Sequence, residues 1–371
     1  MIKVLELIDG GFLGGGQTHI LSLVKCLDKN KFDPLIAASG EGEFSKSVLS
    51  KGYNFISIEL PKIYRSKYLD ELHSIIEDNE IDIIHSHGGV AGMYARFYKK
   101  KFENIKVIHT IHGIHYINSP GVLKRFISLS VEQYLMPYTD RFICVSDADL
   151  ETALKNKIID PEKTTVIKNG IDLEKFAGKQ KDTELLSVLG LSAKDLIIGN
   201  VSRFDHQKNQ RFIILNSEVI LEKFPAVKIL LAGGGKLLEE CRQMAERSIY
   251  KDRIIFTEEV SDPEKYYPLL DIYVFPSLWE GLSISLIEAM ASSDCILCSG
   301  IPANRELITD NHNGLIFNVY SKHEYLLKLE ELITDKKLRL KLSQQAERDS
   351  VNYSEKVMTE KIEKEYLNLS E

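Results

Sequence analysis

The sequence predicts an α/β protein of two Rossmann-like domains, each built around a parallel sheet, facing each other across a cleft. Three observations support this. At 371 residues the chain exceeds the size at which a single hydrophobic core keeps growing. Short apolar runs alternate throughout with stretches whose apolar residues recur every three or four positions, the pattern of parallel α/β sheets. After residues 164–172 the strand series begins again, so the same layout is used twice.

In the first series, strands are read over Lys3–Ile8, Pro34–Ala38, Phe55–Leu60, Ile81–His85, Lys106–Thr110, Arg141–Val145 and Thr164–Ile167. Helical spacing marks Thr18–Leu27 and Tyr68–Glu77 between them. A turn, Asn169-Gly170-Ile171-Asp172, and a polar stretch over 177–183 separate the two series. The second series runs Asp195–Val201, Lys228–Ala232, Arg253–Phe256, Ile272–Phe275, Cys295–Ser299 and Gly314–Phe317. The hinge is expected near Lys168–Asp172, giving a first domain over 1–168 and a second over 169–354. A final helix over about 355–371 is long enough to return to the first domain.

Composition excludes several classes. No apolar run approaches the roughly 20 residues needed to cross a bilayer. The N-terminal run carries Glu6 and Asp9 where a secretory signal would be uninterrupted, so a cytoplasmic location is expected. Five scattered cysteines read as buried thiols of a reducing compartment, Cys295 and Cys298 included. The net charge of −7 argues against nucleic acid as a partner. Residues 1–170 are balanced in charge, and they hold the basic clusters Lys99-Lys100-Lys101 and Lys124-Arg125 beside an amphipathic stretch. These fit either a solvated helix face or peripheral contact with an anionic inner membrane.

Ligands of doubly wound sheets bind beyond the carboxyl ends of strands, and the polar clusters lie there. The segment Phe275–Ala291 ends a strand and starts a helix near Ser283. Gly281 permits close approach, and the amides around Leu282 and Ser283 form a helix N-terminus suited to a diphosphate. Carboxylates beside such a site prefer hydroxyl partners: Glu280 those of a sugar, Glu288 those of a ribose. Arg203 and Lys208 follow the first strand of the second series, where two cations suit a leaving diphosphate without a metal. Gly15 and Gly16 leave room for donor phosphate and acceptor, with Gln17 and His19 as acceptor contacts; neither a complete Gly-x-Gly-x-x-Gly nor a Walker sequence is present.

His85-Ser86-His87 invites a zinc reading. Gly88-Gly89 suggests that the strand ends before His87, so the pair would not share a face, and no further ligands are evident. No metal is therefore expected, and His87 is assigned to the acceptor pocket. Asp147-Ala148-Asp149 is read as the acidic first turn of a helix capped by Ser146, not as a metal motif.

Taken together, Glu280–Glu288 resembles the Glu-x7-Glu signature of retaining glycosyltransferases of the GT-B fold, the family 4-like, group 1 type. The likeness extends along nearly the whole chain: Gly14–His19, His109-Thr110-Ile111-His112-Gly113, Asn169–Asp172, the pair Arg203 and Lys208, Glu306-Leu307-Ile308 and Asn311–Gly314. It implies a metal-independent hexosyltransferase that needs no cofactor and uses a nucleoside-diphosphate sugar, UDP being the expected base. The acceptor would be a glycan or lipid-linked hydroxyl in bacterial surface polysaccharide assembly. The resemblance places His112 near the donor sugar, Arg203 and Lys208 on the phosphates, and Gly234 and Phe256 near the nucleotide, with base recognition around 256–260. Glu258 stands where relatives commonly have glycine, which leaves the base open. Competing readings are a nucleotide-sugar 2-epimerase, a sucrose- or trehalose-type synthase, and a non-catalytic sugar-nucleotide binder.

Overall fold

A computed structural model describes residues 1–114, 117, 121–178, 180–258 and 260–370. The chain divides into two compact units, one of Met1–Ile171 with Tyr353–Glu371, the other of Asp172–Asn352.

The first unit is a seven-stranded parallel sheet. Its strands are β1 (Ile2–Ile8), β2 (Phe32–Ala38), β3 (Phe55–Ser57), β4 (Ile83–His87), β5 (Lys106–Ile111), β6 (Arg141–Cys144) and β7 (Thr164–Val166), in the spatial order β3-β2-β1-β4-β5-β6-β7. Strands buried on both faces need near-continuous apolar sequence. Val4, Leu5, Ile83, Ile84, Val107 and Ile108 supply it. The helix Glu355–Ser370 lies against this sheet, with Met358, Ile362 and Tyr366 packed among Val4, Ile83, Ile108 and Ile143. Polar ties fix its docking: Arg141 to Glu365 at 2.8 Å and the Asp28 amide to Glu363 at 2.7 Å.

The second unit repeats the plan. Its strands are β8 (Leu196–Val201), β9 (Val227–Ala232), β10 (Ile254–Phe256), β11 (Ile272–Phe275), β12 (Cys295–Ser299) and β13 (Leu315–Phe317), in the order β10-β9-β8-β11-β12-β13, all parallel. In both sheets the order reverses beside the first strand, at β1/β4 and at β8/β11. That reversal opens a crevice at the carboxyl ends, where side chains from two loops can meet over one ligand.

Several boundaries differ from expectation by one to three residues, β3 ending at Ser57 and not Leu60 among them, and two bear on the site. The helix after the glycine-rich turn starts at Gly15, not Thr18. More consequentially, β4 does not end at His85 but continues through His87, pairing with Ile8 of β1 and Thr110 of β5. Central position explains the extension, because ladders on both sides hold the strand until Gly88 turns it at φ +80. The cysteines are free thiols, four of them buried. Among the described residues no helix is long and apolar enough to cross a membrane.

Candidate active site

Two polar clusters occupy the two crevices. In the second unit, the loop after β8 and the loop after β11 are stitched together. The Asn200 side-chain amide donates to the Val274 carbonyl at 2.8 Å, the Leu278 amide to the Gln207 carbonyl at 2.9 Å, and the Asn209 side chain to the Pro276 carbonyl at 3.1 Å. Asn209 adopts left-handed backbone at φ +57, which lets the chain leave this loop and enter the helix Gln210–Lys223.

The stitching brings Lys208 and Glu280 together, Nζ to Oε1, at 2.8 Å. Both side chains are largely withdrawn from water, at 13% and 6% exposure. The ammonium also lies 4.9 Å from the centre of the Phe275 ring. Gln207 donates to the other carboxylate oxygen at 3.0 Å and to the Trp279 carbonyl at 2.9 Å. Sequence reasoning passed over Gln207; its only signal was adjacency to Lys208. Arg203 points elsewhere, half exposed and paired with Asp205 at 2.8 Å.

Helix Ile284–Ala291 begins just past Gly281 and Leu282. Ser283 is its N-cap, accepting from the Leu286 amide at 3.4 Å. The earlier amides of this first turn carry the positive end of the helix dipole. One and a half turns on, Glu288 accepts a hydrogen bond from the Tyr267 hydroxyl at 2.8 Å. Burial pushes its carboxyl up to about 7, against the lowering effect of that hydrogen bond.

Gly233 and Gly235 have φ of +137 and +134, and a Cβ at either would strike the Ser202 or Phe204 carbonyl. The Gly234 carbonyl accepts from the Phe204 amide at 2.7 Å. These glycines therefore let the turn after β9 support the Arg203 loop from behind. Phe256 packs against Phe204 and under the Arg242 guanidinium. Glu258 is exposed; within the 256–260 segment, residue 259 lies outside the described residues.

The first unit's crevice holds a denser cluster. His19, His87 and His112 come together from the Gly15–Cys26 helix, β4 and the end of β5, with ring centres 4.9–5.4 Å apart. His87 Nδ1 and His112 Nε2 are 3.0 Å apart, and His87 Nε2 donates to Glu6 of β1 at 2.8 Å. His85 shares the face of His87 and bonds Tyr366 and Thr110 at 2.6 and 2.7 Å. Tyr366 in turn donates to Glu6 at 2.7 Å. His109 faces another way, against Ser86 at 3.0 Å, as a satisfied core residue.

The premise for setting a metal aside therefore fails. His85 and His87 do share a face, and further ligand-bearing side chains surround them, Glu6, His19 and His112. Glu6 was hidden because a single acid in Val4-Leu5-Glu6-Leu7-Ile8 reads as an interruption, whereas burial demands a partner for it. Burial would raise its carboxyl, but the imidazoles of His85 and His87 outweigh this and hold it well below the usual range. Burial also keeps His19 down at about 3, His87 at about 4 and His112 well below its ordinary value. Of the other expected contacts, Gly16 lies beside the His112 ring, and Gln17 reaches the Asp9 carbonyl only at 3.5 Å.

Outside both crevices, the expected basic cluster is largely engaged: Lys99 with Asp140, Lys100 with the Tyr134 hydroxyl, Lys101 with Asp70. Instead, Val122, Leu123, Phe126 and Ile127 of the helix Val122–Leu135 stand exposed beside Lys124 and Arg125. Ser146 caps the helix Asp147–Lys155 by accepting from the Asp149 amide.

Residues 13–175 match the model of Glycosyltransferase Family 4, and residues 181–349 match that of the glycosyl transferases group 1. An Escherichia coli UDP-Gal:α-D-GlcNAc-diphosphoundecaprenol α-1,3-galactosyltransferase is 25% identical over 347 residues, covering 91% of this chain and 90% of that protein. A Campylobacter jejuni N-acetylgalactosaminyltransferase, whose named acceptor is an undecaprenol diphosphate-linked disaccharide, is 27% identical over 55% of this chain and 54% of its own length. Among solved structures, HepE from Anabaena in complex with UDP and glucose superposes with a TM-score of 0.88 at 17% identity, covering 99% of this chain and 100% of that one. Such a likeness establishes the shared fold.

Proposed function

The chain belongs to the glycosyl transferases of group 1, with a family 4 first half, and from that premise we propose that it moves a sugar from a UDP-sugar to a hydroxyl of a lipid-linked glycan, with retention at the anomeric carbon. The observation that carries this reading is the Lys208–Glu280 pair, held beside the N-terminus of helix Ile284–Ala291 at the β8/β11 crevice. An ammonium, a ring of amides and a carboxylate within one loop pair suit a sugar diphosphate: cation and amides to the phosphoryl oxygens, Glu280 to sugar hydroxyls. Glu288, one and a half turns along, takes the ribose hydroxyls.

In this reading the bond from the anomeric carbon to the diphosphate oxygen breaks, and its electron pair leaves with the diphosphate. Lys208 and the helix amides stabilise that charge as it develops, which requires no divalent cation. The acceptor oxygen bonds to the anomeric carbon on the face the diphosphate leaves, and its proton passes to the departing diphosphate. The family resemblance assigns one of the sugar's hydroxyls to His112. The names of the relatives support a UDP donor and an undecaprenol diphosphate-linked acceptor. The exposed apolar and basic residues of Val122–Leu135 support peripheral contact with the membrane that carries such an acceptor.

The test is transfer of label from radioactive UDP-galactose, UDP-glucose and their N-acetylated counterparts to an undecaprenol diphosphate-linked N-acetylhexosamine, with EDTA present. Label in the lipid fraction is the expected result. Absence of transfer from every one of these donors, with the protein folded, overturns the reading.

A further inference from the structure

We propose that His19, His87 and His112 form a binding site for one transition-metal dication of the zinc class, a site distinct from the phosphate-binding crevice of the second unit. A tetrahedral ion with nitrogen about 2 Å away places the centres of its imidazole ligands roughly 5.2 Å from one another. The three separations here are 5.4, 4.9 and 5.3 Å. The candidate ligand nitrogens all lie within 4.8 Å of one another.

The far nitrogens support this assignment. Metal-bound imidazoles characteristically donate their other nitrogen to a carboxylate or carbonyl oxygen, which fixes ring and tautomer. His87 does so to Glu6 at 2.8 Å, and His19 Nδ1 faces the Asn169 side-chain oxygen at 3.0 Å. Each then turns its unprotonated nitrogen inward. His19 Nε2 is fully buried and has no hydrogen-bond partner among the described residues, a cost that a bound cation would remove.

The neighbouring group of Glu6, His85 and His87 is set aside because both nitrogens of His85 are bonded to residues outside it, Tyr366 and Thr110, whereas the inner nitrogen of His87 is bonded only to His112, itself a candidate ligand whose proton a bound cation would displace. Nitrogen-only ligation favours zinc, cobalt, nickel or copper over magnesium and calcium, which prefer oxygen. Cation binding and recognition of a sugar hydroxyl draw on the same His112 ring. The binding itself does not depend on the transfer reading, so it is tested without nucleotide or acceptor.

The metal-free full-length chain is titrated with Co²⁺ and followed by visible absorption. The expected result is one equivalent per chain with the intense d–d bands of tetrahedral cobalt, displaced by Zn²⁺. His19→Gln should weaken binding about 100-fold or more, Asn169→Ala by about 10- to 100-fold. His323→Ala, on an exposed helix face, should leave it unchanged. Weak or octahedral cobalt binding to the unaltered protein overturns the proposal, whatever the folding of the variants. So does tight binding that survives in a folded His19→Gln protein.

Discussion

Lys208 and Glu280 are each other's partner before any ligand arrives, and this shapes what their substitution does. Removing one leaves the other charge partly buried without a counterion, which costs on the order of 3 kcal/mol when a well-buried pair is broken. Lys208→Met should therefore lower stability by roughly that amount and turnover by about 100-fold or more, as expected for a lost donor to developing charge. Combining it with Glu280→Gln should restore much of the stability and none of the rate. Urea denaturation and initial rates on the two single variants and the double separate the roles. Recovery of turnover in the double would show that Lys208 serves only to neutralise Glu280. Glu288 supplies a second prediction. Burial raises its carboxyl to about 7, so it is protonated below that pH. Linkage then runs opposite to the usual carboxylate. The folded state binds the extra proton, and its stability contribution is whole below the ordinary glutamate range and lost as pH rises through about 7. Binding of UDP has the contrary sign. Ribose hydroxyls donate to the ionised form, so affinity should fall by up to about tenfold per pH unit below 7. A calorimetric titration at several pH values shows this, and Glu288→Gln should flatten the profile. A profile that stays as steep in that variant would place the ribose elsewhere.

At the scale of elements, the strands were legible and what the central ones carry was not. Alternation of apolar runs with helical spacing located every strand of both sheets, since doubly buried strands have little choice of residue. The end of β4 is not legible locally, because glycines at 88 and 89 point to an early stop while pairing with β1 and β5 carries the strand to His87. Two residues on that strand changed the reading of five side chains. The partners of His85 and Glu6 lie far away in sequence: Tyr366 sits on the last helix, 281 residues from His85 and 360 from Glu6. No local pattern encodes such a contact. In the second unit, by contrast, Glu280, Ser283 and Glu288 share one short segment, and that segment alone suggested a phosphate site. The Tyr366 hydroxyl also links the helix Glu355–Ser370 to the sheet it covers. Tyr366→Phe leaves one Glu6 oxygen short of a partner in a dry interior and His85 Nδ1 with only its 3.3 Å contact to the other, which should cost about 1–3 kcal/mol. Urea denaturation measures it. An unchanged midpoint would mean that water replaces the hydroxyl, and that the helix is held by its apolar face and by its ties to Arg141 and Asp28.

Over the whole molecule, the same strand order appears twice, and the restart of the strand series after residue 172 is its signature in the sequence. Whole-chain charge was a poorer guide. A net of −7 conceals a first half with no excess of either sign, and within it a patch whose apolar part outweighs its basic part. The lysine triplet that marked this region in the sequence is mostly spent on ion pairs and a tyrosine. The exposed side is Val122, Leu123, Phe126 and Ile127, from 53% to 82% open to solvent, with Lys124 and Arg125 between them. An isolated exposed leucine needs no explanation, but four large apolar residues on two turns of one helix form a patch of the kind that marks an interaction site. Apolar burial and attraction to anionic headgroups add in such a helix, and only the second is screened by salt. Co-sedimentation with vesicles containing anionic lipid should therefore weaken with added salt without vanishing. Phe126→Asp with Ile127→Asp should reduce it at least tenfold at every salt concentration, while Lys124→Gln with Arg125→Gln should abolish only the salt-sensitive part. Transfer to a water-soluble acceptor analogue should be unchanged in both variants, since these side chains lie outside both crevices. If the aspartate pair bound vesicles as well as the parent chain, the patch would face a protein partner and not a lipid surface.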